Sequence, residues 1–240
     1  PELSRTRVRV LCEGSDGSIW VGAMTGLFRL QNGVTTHFDL SVITKSKDVM
    51  TLQPVPGGGI WAGTREGELI LFDGRELKVI LAADTVPPGG AIKSLAFDSK
   101  TSDLWIARDG GRLELFRTNS LARIDLFSGR KPERQIYLET PHLDAEGALW
   151  IGTKDDGVIR YYNGETSGSG PAEGLPDREV LSILKDHEGS VWVGTHFGGL
   201  TRLLEGKAST FCRPEGLPVS IVSCVVQADP ESMWIGTSGP

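Results

Sequence analysis

All six tryptophans of the chain recur at nearly one interval: Trp20, Trp61, Trp105, Trp150, Trp192 and Trp234, separated by 41, 44, 45, 42 and 42 residues. Each opens a short signature, clearest as Trp150-Ile151-Gly152-Thr153, Trp192-Val193-Gly194-Thr195 and Trp234-Ile235-Gly236-Thr237. A turn bearing Asp or Gly precedes the signature, as in Ser15-Asp16-Gly17 and His187-Glu188-Gly189, and an apolar segment such as Val180–Leu184 precedes that turn. A second apolar segment follows, for example Gly26–Leu30 or Gly199–Leu203, and then a weaker one such as Thr35–Phe38 or Ala208–Phe211. Four short strands in about 42 residues is the arithmetic of a propeller blade, and no window sustains helical spacing.

The expected fold is therefore an all-β propeller of four-stranded blades, here called strands A (inner) to D (outer). Blades are expected at about residues 7–47, 48–90, 91–133, 134–177, 178–219 and, in part, 220–240. That makes five full blades and half of a sixth in one propeller domain, 1–240, or in a segment of a longer ring; a six-bladed ring with one thin blade is the alternative. One blade cannot cover both faces of its own sheet, so neighbours must do so. The six tryptophans are expected between blades, where a large ring is best buried, with the glycine two residues later admitting a close approach. On that view Trp192→Ala is severely destabilising and Trp234→Ala less so. The strand at Met233–Thr237, uncharged, presents an open edge that invites an edge-to-edge homodimer or aggregation, or closure by the strand-like Thr6–Leu11 at the other end of the ring.

Composition narrows the class. A net charge of −6 argues against a nucleic-acid partner. No run approaches the roughly 18 apolar residues of a membrane helix, so no membrane contact is expected of this segment. The first residues, Pro1–Arg5, lack the basic-then-apolar layout of a signal peptide, and the chain reads as a mature form or a fragment. Three cysteines, Cys12, Cys212 and Cys224, form no CxxC pair and read as free buried thiols.

A propeller collects its B–C turns and D–A connections at one end. The expected ligand-facing residues are Met24, Thr25, Lys47, Arg65, Glu66, Arg108, Asp109, Lys154, Asp155, Arg178, His196 and Phe197. Pro87-Pro88-Gly89-Gly90 and Arg134-Gln135 belong to the same connections. These positions differ from blade to blade while the frame repeats, which is what a rigid scaffold with a variable site shows. Arg65, Arg108 and Lys154 beside Glu66, Asp109 and Asp155 would make an alternating collar for an anionic or hydroxyl-rich ligand. His196-Phe197 suits stacking on a sugar or a protein. Pro141 is expected to bend its inner strand and aim His142 inward. The histidines show no HExxH or H-x-H spacing, and no GxSxG or P-loop follows a strand, so no catalytic residue, metal or cofactor is assigned. Asp16, Asp144 and Asp186 are read as turn-forming.

The motifs Leu149–Thr153, Gly198-Gly199-Leu200-Thr201-Arg202, Glu-Gly-Leu-Pro at 173–176 and 215–218, and Val180–Ile183 resemble the two-component regulator propeller repeat. The second and third units depart from it, the third having Ala107-Arg108 where the others have Gly-Thr. The resemblance implies a non-catalytic sensor region of a hybrid two-component or histidine kinase system. It also implies a periplasmic or extracytoplasmic location, a small-molecule or oligosaccharide ligand, and further domains of the same sensor as partners. A propeller lyase or glycan-cleaving enzyme, and a protein-interaction scaffold, are the alternatives.

Overall fold

The computed structural model describes residues 2–83, 90–117, 120–126, 136–204 and 207–239. The described chain contains 22 strands and, besides them, only single-turn 3-10 helices. Among the described residues no helix is long and apolar enough to cross a membrane. The chain divides into two compact units, Pro1–Ile124 and Asp125–Pro240.

The first unit holds three four-stranded antiparallel sheets. They are β1 (Val8–Glu13), β2 (Ile19–Ala23), β3 (Gly26–Gln31) and β4 (Val34–Phe38); β5 (Val49–Val55), β6 (Gly59–Thr64), β7 (Leu69–Phe72) and β8 (Leu77–Leu81); and β9 (Ile92–Asp98), β10 (Asp103–Arg108), β11 (Arg112–Arg117) and β12 (Ser120–Ile124). The second unit holds two more, β13 (Leu138–Leu143), β14 (Leu149–Thr153), β15 (Val158–Tyr162) and β16 (Glu165–Ser169), then β17 (Val180–Lys185), β18 (Val191–Thr195), β19 (Leu200–Leu204) and β20 (Lys207–Phe211). A two-stranded sheet, β21 (Val222–Asp229) with β22 (Ser232–Thr237), completes it. Within each unit the first strands of successive sheets lie side by side, β1 by β5 by β9 and β13 by β17 by β21. The turns suit this meander. Asn32-Gly33 and Asn163-Gly164, all at positive φ, close two-residue hairpins from third to fourth strand, matching the twist of the strands they join.

The sheets are held by apolar side chains trapped between neighbours. Trp20, Leu27, Val49, Ile60 and Phe72 form one cluster between the first two sheets, and Trp61, Leu69, Ile92, Leu104 and Phe116 the next. In the second unit Val158, Val180 and Val193 pack with Trp150, and Leu200, Val222 and Val225 with Trp192. The glycine two residues after Trp20, Trp61, Trp150 and Trp192 has a steric cause. A Cβ on Gly63 would lie 2.5 Å from Ile92 Cγ2, and one on Gly22, Gly152 or Gly194 would lie 2.7 Å from Val49, Val180 or Val222. In each case the intruder is the first residue of the next sheet's inner strand. The glycine lets that β-branched side chain sit on the second strand of its neighbour.

All six inner strands carry a register shift at one place: between Val8 and Val10, Val49 and Thr51, Ile92 and Ser94, Leu138 and Thr140, Val180 and Ser182, and Val222 and Cys224. Each is a one-residue bulge, which sharpens twist and re-aims a side chain. The expected bend at Pro141 is corrected by this pattern. Pro141 pairs with Ile151 and His142 with Trp150, and the irregularity falls at Glu139, where every blade has one. His142 is held by the adjacent sheet, its Nε2 accepting from the Lys185 backbone N–H at 3.2 Å. Burial, aided by the Lys185 ammonium, keeps its pKa below the ordinary histidine value against the pull of Asp144.

Two tryptophans have a carboxylate partner that the turn reading did not anticipate. Asp186 Oδ2 accepts from Trp192 Nε1 at 2.7 Å while Oδ1 accepts from the backbone N–H groups of Glu188 and Ser190. Asp144 repeats this with Trp150 Nε1 at 2.8 Å and the N–H groups of Glu146 and Ala148. Burial alone would raise both carboxyl pKa values, but the donated hydrogen bonds hold them below the ordinary 3.8. A lowered folded pKa means the stabilisation is present above the unfolded value and is lost as pH falls through the folded one. Asp186→Asn is expected to cost about 2 kcal/mol at pH 7, the worth of hydrogen bonds to a charged acceptor. It should also flatten the loss of stability as pH falls below about 4. Urea titrations at pH 7, 4 and 3 check this; an unchanged acid limb would show that the carboxylate contributes nothing.

The cysteines are corrected in part. None is in a disulfide; Cys12 and Cys212 are half-buried, but Cys224 is exposed rather than buried. Burial pushes the Cys12 thiol up to about 12, so it stays protonated at neutral pH.

Candidate functional site: the second-to-third-strand turns

A threonine-closed turn follows two of the second strands, β14 and β18. The threonine of Trp-x-Gly-Thr closes it: Thr153 Oγ1 donates to Gly157 O at 2.9 Å and accepts from Asp156 N at 2.8 Å, and Thr195 repeats this with Gly199 O and Gly198 N, both at 3.0 Å. The next residue is then fixed by its own N–H. Met24 donates to Arg7 O, Arg65 to Asp48 O, Asp109 to Ala91 O, Lys154 to Tyr137 O, His196 to Glu179 O and Ser238 to Ile221 O, all between 2.9 and 3.1 Å. Each acceptor lies at or just before the start of the inner strand of its own sheet. One backbone frame therefore presents six different side chains.

The connections leading into the inner strands are equally built. In Glu-Gly-Leu-Pro, Glu173 Oε2 accepts from Gly170 N at 2.6 Å and Glu215 Oε2 from Cys212 N at 2.9 Å. Gly174 and Gly216, at φ 92 and 103, reverse the chain in a conformation that favours glycine. Leu175 then plugs the core at 1% exposure.

In the first unit these turns carry a row of alternating charge. Arg9, the bulge residue of β1, donates Nε and Nη2 to the two oxygens of Asp48 at 3.0 and 2.9 Å. Arg65 Nε reaches the same carboxylate at 2.6 Å, and Lys93, the bulge residue of β9, lies 3.9 Å from Asp109. Burial opposes ionisation of Asp48, but the two guanidinium groups hold its pKa below the usual range. Asp48 raises the Arg65 pKa, with Asp109 and Glu66 adding to it. Met24 is 46% exposed, and Thr25 and Glu66 are exposed as well. Lys47 is exposed and pairs with Asp39 at 3.1 Å.

In the second unit Lys154 and Arg178 are exposed and Asp155 is half-buried. Asp177 organises the next turn, accepting from Phe197 N and Arg178 N, both at 2.7 Å. His196 lies with Nδ1 3.1 Å from Glu179 Oε2 and its ring 4.0 Å from that of Phe197, which is 69% exposed.

Two assignments are corrected. Arg108 is not on this face. It fills the place of Thr64, Thr153 and Thr195, so of the two residues expected on this face only Asp109 is exposed. Arg108 is 1% exposed, with Nε 2.6 Å from Glu114 Oε2 and Nη1 2.8 Å from Gly67 O of the neighbouring sheet. The expected collar thus loses one cation, and Asp48, Arg9 and Lys93 enter it instead. The tryptophans, second, are not uniformly buried. Trp20 and Trp61 are, Trp105, Trp150 and Trp192 are half-buried, and Trp234 is 74% exposed because no third strand lies beside β22 among the described residues. Pro87-Pro88-Gly89 and Arg134-Gln135 lie outside the described residues.

The six sheets, their shared register and the framed turns define a β-propeller, and solved structures share it. A streptogramin B lyase matches with a TM-score of 0.78 at 17% identity over 96% of this chain and 76% of the lyase chain. The extracellular domain of a putative hybrid two component system from B. thetaiotaomicron matches with 0.65 at 16% identity over 97% of this chain. PorZ, a bacterial surface component of the type-IX secretion system of Porphyromonas gingivalis, matches with 0.76 at 17% identity, again over 97%. This chain spans 37% of the length of each of the last two. A comparison with curated proteins gives no match. The family profile described as "Two component regulator propeller" matches residues 174–197, from Glu-Gly-Leu-Pro through the Trp192 signature. The chain is a propeller in which residues 174–197 match the two-component regulator propeller repeat.

Proposed function

We propose that this chain is the ligand-recognition propeller of an extracytoplasmic two-component-type sensor, taking a small molecule or oligosaccharide on the turns that follow the second strands. The carrying observation is the constant frame with variable side chains. Met24, Arg65, Asp109, Lys154 and His196 occupy one backbone position, each fixed by the same hydrogen bond, and no two are alike. Rigid presentation of unlike side chains is how a repeat scaffold acquires a specific site. The family profile at 174–197 and the likeness to a sensor's extracellular domain support the same reading.

The propeller-lyase likeness concerns fold, and fold does not fix function. The histidines available for acid–base work each have a different partner. His37 stacks on Phe28, His142 accepts from Lys185 N, His187 meets Gln227 and His196 faces Glu179. Among the described residues no three His, Cys, Asp or Glu side chains are grouped to hold a metal.

A thermal-shift screen of the full chain against neutral and anionic oligosaccharides and small metabolites tests the proposal. A ligand at 100 times its Kd should raise the midpoint by about 5–10 °C. Lys154→Ala or Phe197→Ala, both at exposed positions, should weaken binding while leaving the unliganded midpoint in place. Glycan turnover abolished by changing one histidine would replace this reading with the enzyme.

A further inference from the structure

Lys185 ends the inner strand of the fifth sheet and is gripped from the fourth. Its backbone N–H donates to His142 Nε2 at 3.2 Å, and its ammonium reaches Asp144 Oδ2 at 3.0 Å and Glu146 Oε2 beyond it. His142 stands opposite Trp150, a place held by Cys12, Gln53, Ala96, Leu184 and Val226 in the other sheets. The blade frame therefore has no need of a histidine there. A backbone N–H can only donate, so Nε2 must bring a lone pair, and the neutral ring carries its proton on Nδ1. The half-buried ring borders an open cavity of about 340 Å³, which keeps it within reach of water. The titratable groups lining that cavity with it are Asp144 and Glu146 from its own sheet and Lys185, Asp186 and His187 from the next.

We propose that His142 is a proton-released latch between the fourth and fifth sheets, its neutral ring holding the Lys185 backbone and its protonated ring letting go. A proton on Nε2 sets one donor against another, and the imidazolium then also meets the Lys185 ammonium. The Lys185 N–H must turn to water, and the turn at 186–189 that it leads into comes off the fourth sheet. Burial, with the Lys185 ammonium, holds the His142 pKa below the ordinary 6.5 against the pull of Asp144. With the folded value lowered, the latch's contribution to stability is whole above about pH 6.5 and is lost as pH falls through the folded value. Asp144, whose pKa lies below 3.8, still holds the ammonium in that window, so the backbone is released before the side chain. The other end of the same seam has no such group: there the Gly157 N–H donates to the Arg178 carbonyl at 3.0 Å.

Hydrogen exchange of the full chain, followed amide by amide by NMR between about pH 7.5 and 4.5, tests the latch. Protection at the Lys185 amide should fall about tenfold, the worth of one hydrogen bond. The fall should share its midpoint with the His142 ring resonances, while the Gly157 amide keeps its protection. His142→Gln offers an amide oxygen in place of Nε2 and has no proton to gain. It should retain the neutral-pH protection at Lys185 and lose the pH dependence. Four results would overturn the proposal: constant protection at Lys185, an equal fall at Gly157, a midpoint not shared with His142, or a pH dependence that survives in His142→Gln. Should that variant fold poorly, the titration of the unaltered chain decides alone.

Discussion

Trp20→Ala is expected to destabilise the first unit by about 3–5 kcal/mol, the cost of deleting a fully buried large aromatic. The indole is 0% exposed, stacked 5.6 Å from Phe38, tilted 5.1 Å from Phe72 and capped by Arg29 at 5.4 Å. Its Nε1 has no hydrogen-bond partner, so the loss is one of packing. The expectation from spacing alone placed the severe effect at Trp192. That ring is half-buried, so its replacement should cost less than that of Trp20. Trp234→Ala, at a 74% exposed position, should stay within about 0.5 kcal/mol. Urea titrations of the three variants should give that order. A loss under about 1 kcal/mol for Trp20→Ala would show that the ring does not hold the first two sheets together.

Arg108→Ala is expected to cost about 3–5 kcal/mol, because it leaves the Glu114 carboxylate buried without its cation. Glu114 is 4% exposed, and Gly67 O would lose its donor as well. The pair is a substitute for the threonine clasp of the other sheets. Replacing both partners with apolar or small residues should therefore be far less harmful than breaking the pair. Arg108→Thr with Glu114→Leu is expected to recover most of the stability lost in Arg108→Ala. Equal losses in the single and double variants would show that cavity formation, not the stranded charge, sets the cost.

The blade was legible in the sequence because its determinants are local. The tryptophan period, the glycine two residues on and the turn aspartates each act within one sheet or against the next, and all recur at one spacing. Glu-Gly-Leu-Pro was visible as a repeated word, and the structure gives it work: a carboxylate clasp, a left-handed glycine and a buried leucine. What escaped was geometry that depends on register across sheets. Counting three residues on from Trp105 puts Arg108 in line with Thr64 and Thr153, inside the fold, and that count distinguishes it from its exposed neighbour Asp109. The Asp48 site could not be read at all. Its partner Arg9 is 39 residues away and points there only because the inner strand bulges at that residue. The indole–carboxylate bonds were within reach, since Asp144 and Asp186 each stand six residues before a tryptophan. In the first sheet Gly14 occupies that place, and Trp20 Nε1 goes without a partner.

The central claim is that the turns after the second strands, not the turns before them, are the recognition surface. Hydrogen exchange of the full chain with and without the ligand found by thermal shift tests it most directly. Protection should concentrate at backbone amides 24–25, 65–66, 109, 154–155 and 196–197 in whichever unit binds. Protection confined to the opposite turns, 14–17, 144–147 and 186–189, would contradict the account.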